Sequence, residues 1–132
     1  MKKLIKSFLL TPLVFVLLSS SVWAQLKLNN GVTEHIEGFP IMEGLAESMT
    51  KIVMFDKPEG RIIESEVAGP GTAGAAKEFY NESLSQIGWN LQPNGDENIL
   101  KFVKEGELLS LEFSASKNFV VINISLAPYV AP

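Results

Sequence analysis

The chain has 132 residues with 11 basic and 15 acidic side chains, a net charge of −4, and no cysteine. The lack of cysteine excludes disulfides, thiolate metal sites, cysteine nucleophiles and the lipid anchor of a bacterial lipoprotein. The acidic balance argues against a basic surface, so we expect neither nucleic acid nor anionic lipid as a partner.

The first 24 residues have the pattern of a cleavable export signal. Three lysines precede the apolar stretch Phe8–Leu18, and the small residues after it end in Val22-Trp23-Ala24, which fits a signal peptidase site. A retained membrane anchor is the alternative, but the stretch is well short of the roughly 20 residues that span a bilayer. We therefore predict cleavage after Ala24, no stable membrane anchor afterwards, and a periplasmic address. Cleavage leaves 108 residues with eight basic and fifteen acidic side chains, a net charge of −7.

Residues 25–50 show no sustained apolar period and carry turn signals such as Asn29-Asn30-Gly31. They are predicted to form an extended arm with at most a short helical turn around Leu45–Met49. Four apolar residues are expected to hold this arm against the domain: Phe39, Ile41, Met42 and Leu45.

The segment after the arm is typical of a β-hairpin. Lys51–Asp56 is an apolar run of strand length, and Arg61–Ala68 alternates so that Glu64 and Glu66 share one face. The connecting Lys57–Gly60 contains the proline and glycine that tight turns favour.

One α-helix is predicted between the hairpin and the remaining strands. Thr72 is a suitable N-cap, and Gly88 is placed to end the helix with Trp89 folded back onto its last turn. Five apolar residues recur at helical spacing and predict the buried stripe: Ala76, Phe79, Tyr80, Leu84 and Ile87.

Three strands joined by tight turns follow, at Asn98–Lys104, Glu107–Ser114 and Val120–Leu126, and a further short strand at 89–91 stays open. The expected fold is α+β, with one helix packed on an antiparallel sheet in the order β-β-α-β-β-β. It forms a single domain over residues 51–128, and residues 129–132 form a C-terminal tail.

Three segments together resemble a family of small uncharacterised exported proteins of Gram-negative proteobacteria. They are Pro40–Glu47, Val53–Glu64, and the helix end with Phe79-Tyr80, Leu84 and Gly88-Trp89. The helix end is also similar to a segment of small envelope lipoproteins, although this chain lacks their lipidated cysteine. The resemblance covers about residues 40–128 and implies an exported α+β domain in the periplasm. It implies no activity, ligand or catalytic residue.

The hairpin turn concentrates charged side chains that a turn does not need. Asp56, Lys57, Glu59 and Arg61 surround Pro58 and Gly60, which already satisfy the turn geometry. Arg61 is suited to gripping a carboxylate or phosphate with two hydrogen bonds. Pairing of Arg61 with Asp56 or Glu59 across the turn is the alternative. We predict these four residues as the binding site.

No arrangement of residues demands catalysis, a metal or a cofactor, and His35 is the single histidine. The sequence therefore favours a non-enzymatic binding or protein-interaction module, with an envelope protein or a small ligand as partner. A small hydrolase using Glu64 and Glu66 is one alternative. Another is a carrier of a small apolar ligand, in a cavity lined by Phe79, Phe102, Phe113 and Ile122.

Overall fold

The computed structural model describes residues 32–48 and 52–130. Within them it contains two helices and seven strands: α1 (Val32–His35), β1 (Ala46–Glu47), β2 (Val53–Lys57), β3 (Gly60–Pro70), α2 (Ala73–Gln86), β4 (Asn90–Gln92), β5 (Ile99–Lys104), β6 (Glu107–Ser116) and β7 (Phe119–Pro128). The predicted export signal with its cleavage site at Ala24 lies outside the described residues. So do residues 25–31, 49 and 50 of the predicted arm, Lys51 at the start of the predicted hairpin, and the last two residues of the tail.

The strands form one sheet in the order β1-β3-β7-β6-β5-β4, with β2 also paired to β3, and every pair is antiparallel. β7 pairs with residues 63–70 of β3. β1 and β2 pair with residues 67–68 and 60–64 of the same strand, so both must lie on its other side. They follow one another along one edge of the sheet, and β4 forms the opposite edge.

The predicted α+β class with an antiparallel sheet is confirmed, whereas the predicted order β-β-α-β-β-β is not, because the described residues contain seven strands and two helices. The structure adds β1 and α1, which have two and four residues, and the short strand left open at 89–91 is present as the three-residue β4. Elements this short cannot show a repeating apolar period, so the sequence pattern does not distinguish them from loops. At most a short helical turn was expected around Leu45–Met49. Ala46 and Glu47 are extended there and pair with β3, and Met49 lies outside the described residues.

Tight turns set the register of the last three strands. Glu105 and Gly106 have φ values of 49° and 80°, and Lys117 and Asn118 have values of 49° and 64°. Two successive positive φ values define the type I′ turn, whose twist matches that of antiparallel strands. The two-residue connection predicted at Glu105-Gly106 is therefore confirmed.

The ends of α2 follow the predicted capping. Thr72 Oγ1 accepts a hydrogen bond from the Ala75 amide at 3.1 Å. At the other end Gly88 has a φ of 100°, and the amides of Gly88 and Trp89 donate to the carbonyls of Ser85 and Leu84 at 3.2 and 3.0 Å. This is a Schellman motif, which stops the helix and turns the buried Trp89 back onto it.

The core lies on one face of the sheet. Ala76, Tyr80 and Leu84 of α2 are fully buried in one cluster with the inward residues of the strands. Phe79 and Ile87, which the helical stripe also predicted as core, are only partly buried at its margin. Tyr80 therefore occupies the central position that the sequence pattern gives equally to Phe79.

Residues 32–48 are part of the same core. Val32, Ile36, Phe39 and Leu45 are buried, and Ile41 and Met42 pack against them, so the predicted contacts of the arm are confirmed. The arm comes close to β3 at Gly69, where an added Cβ atom would lie 2.2 Å from the Gly44 carbonyl oxygen. Only glycine allows the two backbones to approach so closely.

Candidate functional site

The predicted site residues lie on the β2–β3 hairpin. Pro58 and Glu59 form the connection, with Lys57 opposite Gly60 and Asp56 opposite Arg61. Asp56, Lys57 and Glu59 are exposed, as expected of residues that folding does not need. Arg61 differs from them, because its side chain is about two-fifths exposed and is held by the protein itself.

Arg61 forms an ion pair that the sequence did not indicate. Its Nε and Nη2 donate to the Glu107 carboxylate at 2.8 and 3.1 Å, and its Nη1 donates to the His35 carbonyl at 2.6 Å. The hydrogen bonds to Glu107 raise the pKa of Arg61 although partial burial lowers it, and the charges of Glu107 and Asp56 raise it further. The guanidinium thus fastens β3 to β6 and to the end of α1.

These contacts change the interpretation of the predicted site. Three of the five N–H donors of a guanidinium are used within the protein. The expected alternative, pairing with Asp56 or Glu59, is replaced by a partner 46 residues later in the chain. Arg61 is therefore a clamp within the fold, and the groups that are exposed for binding lie on the neighbouring strand β2.

Strand β2 exposes an apolar run at the edge of the sheet. All five of its residues are exposed, and Val53, Met54 and Phe55 have 43%, 46% and 56% of their surface accessible. The sequence pattern predicted this strand but no function for it. The missed signal is its lack of alternation, since three successive apolar residues cannot all face one core.

The free side of β2 also presents backbone groups. The two-residue connection makes Lys57 and Gly60 a hydrogen-bonded pair, and the alternation of an antiparallel ladder then makes Phe55 and Val53 bond to β3 as well. The N–H and C=O groups of Met54 and Asp56 consequently point away from β3. Among the described strands, β3 is the pairing partner of β2, so these four groups face outward from the sheet.

A cavity of about 500 Å³ adjoins β2 on the inner side. Met54, Asp56 and Arg61 line it from the hairpin, and His35 lines it from α1. His35 Nε2 is buried and has no hydrogen-bond partner among the described residues. The cavity brings together Asp56 and Arg61 of the predicted site, while Lys57 and Glu59 are not part of its lining.

A second groove of about 500 Å³ lies on the outer face of the sheet. Two rows of side chains cross successive strands at its floor. The first contains Glu64, Ser125, Ser110 and Lys101, and the second contains Glu66, Asn123, Glu112 and Ile99. Ser125 and Ser110 occupy the centre of the first row, and Asn123 and Glu112 occupy the centre of the second. Glu64 and Glu66 lie at one end of the rows. Glu64 and Glu66 do share one face, as predicted.

The arrangement predicted for an apolar carrier is not present at the cavities described. Phe102, Phe113 and Ile122 are packed in the buried cluster with Phe79 at its margin. None of the four lines these two cavities or a smaller one of about 90 Å³ beside Trp89.

Among the described residues, no group of three acidic or histidine side chains could hold a metal ion. No helix in the described ranges has the length and hydropathy of a membrane span.

The geometry thus indicates two surfaces, the β2 edge with its adjoining cavity and the polar groove of the outer face. Comparison with protein-family models, with curated proteins and with solved structures finds no match to this chain.

Proposed function

We propose that this protein is a periplasmic, non-enzymatic interaction module that binds an extended polypeptide segment along the edge strand β2. The observation that carries the proposal is the exposure of Val53, Met54 and Phe55 beside outward-facing backbone groups. An extended segment that pairs with a sheet edge gains affinity from main-chain hydrogen bonds and specificity from its side chains. Asp56, Lys57 and Glu59 at the turn end of this edge supply the charged contacts.

The opposite edge of the sheet supports this choice. β4 has three residues, and two of them carry amide side chains that bond to nearby backbone. Asn90 Nδ2 donates to the Val103 carbonyl at 3.4 Å, and Gln92 Nε2 donates to the Asn90 carbonyl at 2.9 Å. Short, polar edge strands are a common protection against unwanted pairing. β2 has five residues, and its two charged residues, Asp56 and Lys57, lie only at the turn end. The apolar part of β2 therefore remains open to pairing, which is expected of an edge used for binding.

The periplasmic address rests on the pattern of residues 1–24 and on the family resemblance. If the signal is cleaved as proposed, N-terminal sequencing of protein recovered from the periplasm begins at Gln25. A protein that begins at Met1 and is extracted only with detergent would contradict the address. An envelope protein is then the expected class of partner.

The binding proposal is tested by removing one outward N–H group. Proline is tolerated on an edge strand where its missing N–H would face solvent, so Met54→Pro should leave the β2–β3 pairing intact. Met54→Ala is the matched control, because it removes the side chain and keeps the N–H group. In quantitative pull-downs from envelope extract, we expect Met54→Pro to lower capture of the partner by about two- to ten-fold, because one main-chain hydrogen bond is lost. Met54→Ala should retain most of the capture. Equal capture by both variants would exclude the β2 edge.

Hydrolysis by Glu64 and Glu66 is the second candidate, favoured by their position in the outer groove with Glu112. Glu64 and Glu112 are exposed, whereas acid–base catalysis by paired carboxylates depends on different environments for the two groups. Turnover of a glycoside, ester or peptide substrate by the wild type, and its loss in Glu64→Gln, would favour this candidate over the interaction module.

A further inference from the structure

The sequence of β2 is complementary to itself in the antiparallel direction. We propose that the segment bound by the β2 edge is β2 of a second copy of this chain, related to the first by a two-fold axis that passes beside Phe55. This inference rests on the proposed function, because it names the occupant of the same edge.

The backbone groups fit this symmetric arrangement. With Phe55 opposite Phe55 of the second copy, Met54 of each chain is opposite Asp56 of the other. Met54 and Asp56 are the two residues whose N–H and C=O groups point outward from β3. Each Met54–Asp56 pair exchanges two hydrogen bonds, so the two-fold arrangement forms four. The strands overlap over all five residues of β2.

The side chains fit the same register. Phe55 of both copies forms a central aromatic pair on the outer face, and Val53 is opposite Lys57, so no like charges meet. Phe55 is also opposite Ile62 in its own hairpin. Extending the β3–β7 register by one residue places Ala127 beside Ile62, and β6 and β5 add Leu108 and Val103 to the same row. The pairing therefore joins the apolar rows of two copies into one continuous band.

Neighbouring registers are less favourable. A shift of two residues in one direction places Asp56 opposite Asp56 of the second copy. It also places Met54 opposite Pro58, which has no N–H group. A shift in the other direction sets Asp56 against Ile52, beyond the end of β2. Both shifts reduce the overlap within β2 from five residues to three. Self-pairing of this edge thus has one preferred register.

The absence of cysteine allows a direct test of that register by cross-linking. Residues opposite each other in a non-hydrogen-bonded antiparallel pair have Cα atoms about 4.5 Å apart, within the roughly 4.4–6.8 Å that a disulfide spans. Phe55→Cys should therefore form a covalent dimer under mild oxidation. Val53→Cys is the matched control on the same strand and face, because the two copies of residue 53 would be about 13 Å apart.

We expect the Phe55→Cys dimer to form at least about ten-fold faster than the Val53→Cys dimer, as the geometry permits only the first disulfide. A mixture of Val53→Cys and Lys57→Cys should give the mixed dimer, since those positions are opposite in the proposed register. Equal rates for Phe55→Cys and Val53→Cys, or no mixed dimer, would overturn it.

Sedimentation of the protein recovered from expression of the full chain separates this inference from the proposed function. The weight-average mass of the wild type should rise with concentration towards twice that of the protomer, and Met54→Pro should abolish the rise while Met54→Ala retains it. The association should be weak and reversible, because a single edge strand buries less than the roughly 1,200 Å² of a standard interface. Suppose that the wild type stays monomeric up to millimolar concentration but Met54→Pro still lowers capture of a partner. The second copy would then be excluded as the occupant, and the proposed interaction module would remain. If Met54→Pro changes neither mass nor capture, both proposals fail.

Discussion

The two strands of the β2–β3 hairpin contain similar apolar residues in opposite environments. Met54 and Ile63 are directly opposite each other, yet 46% of Met54 is accessible and only 2% of Ile63. Ile63 and Val67 lie beneath the layer formed by α2 and residues 32–48, and β2 contributes no residue to that buried cluster. The covering layer decides whether an apolar side chain stabilises the fold or remains available for binding.

The largest difference should appear when the two opposite residues are truncated. Ile63→Ala removes buried methyl groups and leaves a cavity, so we expect the free energy of unfolding to fall by about 2–5 kcal/mol. Met54→Ala, its matched control on the exposed strand, should change it by about 0.5 kcal/mol or less. Urea unfolding at low protein concentration measures both values.

Comparable losses for Ile63→Ala and Met54→Ala would mean that β2 is covered in the folded protein, contrary to the difference in exposure between the two strands. A loss below about 1 kcal/mol for Ile63→Ala would mean that the inner face is loosely packed.

The titration of Tyr80 tests how well the layer formed by α2 and residues 32–48 excludes water. Burial raises the pKa of Tyr80 from 10 to about 12, while the hydrogen bond that its hydroxyl accepts from the Met42 amide at 3.3 Å lowers it. The folded protein therefore holds this proton more tightly than the unfolded chain. The contribution of Tyr80 to the free energy of unfolding is fully present below pH 10. It falls by about 1.4 kcal/mol per pH unit as the pH rises from about 10 to about 12.

Tyr80→Phe removes the titrating group and supplies the control. Its unfolding free energy at neutral pH should be about 1 kcal/mol lower, because the Met42 amide loses its acceptor. The variant should lack the part of the alkaline decline that Tyr80 causes in the wild type. Parallel declines for wild type and Tyr80→Phe between pH 10 and pH 12 would show that water reaches the hydroxyl beneath residues 32–48.

The alternating strands, the helix caps and the tight turns could be predicted from sequence because each depends on residues close together in the chain. Thr72, Gly88 and Gly106 determine local geometry by their own chemistry. The clamp between Arg61 and Glu107 could not be predicted, because the pairing of β3, β7 and β6 brings the two residues together. The lack of alternation in β2 indicated that its apolar residues cannot all face one core. Their exposure could not be predicted, because an apolar run has the same pattern whether or not another layer covers it.

The smallest effect concerns Arg61, where the covered strand and the exposed strand meet. Arg61→Ala removes two hydrogen bonds to Glu107 and one to the His35 carbonyl. Because the side chains of this ion pair are 39% and 24% exposed, solvent screening limits the expected loss to about 1 kcal/mol. Urea unfolding of Arg61→Ala at low and high salt measures the loss, which should shrink as the ionic strength rises.

A double-mutant cycle identifies the partner of Arg61. If the clamp operates, Arg61→Ala and Glu107→Gln should be coupled by about 0.5–1 kcal/mol, because each removes the same contact. Asp56 is the matched comparison, since it faces Arg61 across the hairpin and has no hydrogen bond to it among those described. Coupling of Arg61 to Asp56 should be smaller than coupling to Glu107. If Arg61 is coupled more strongly to Asp56 than to Glu107, the clamp to β6 does not form. The guanidinium would then be free for the binding role that the sequence first suggested.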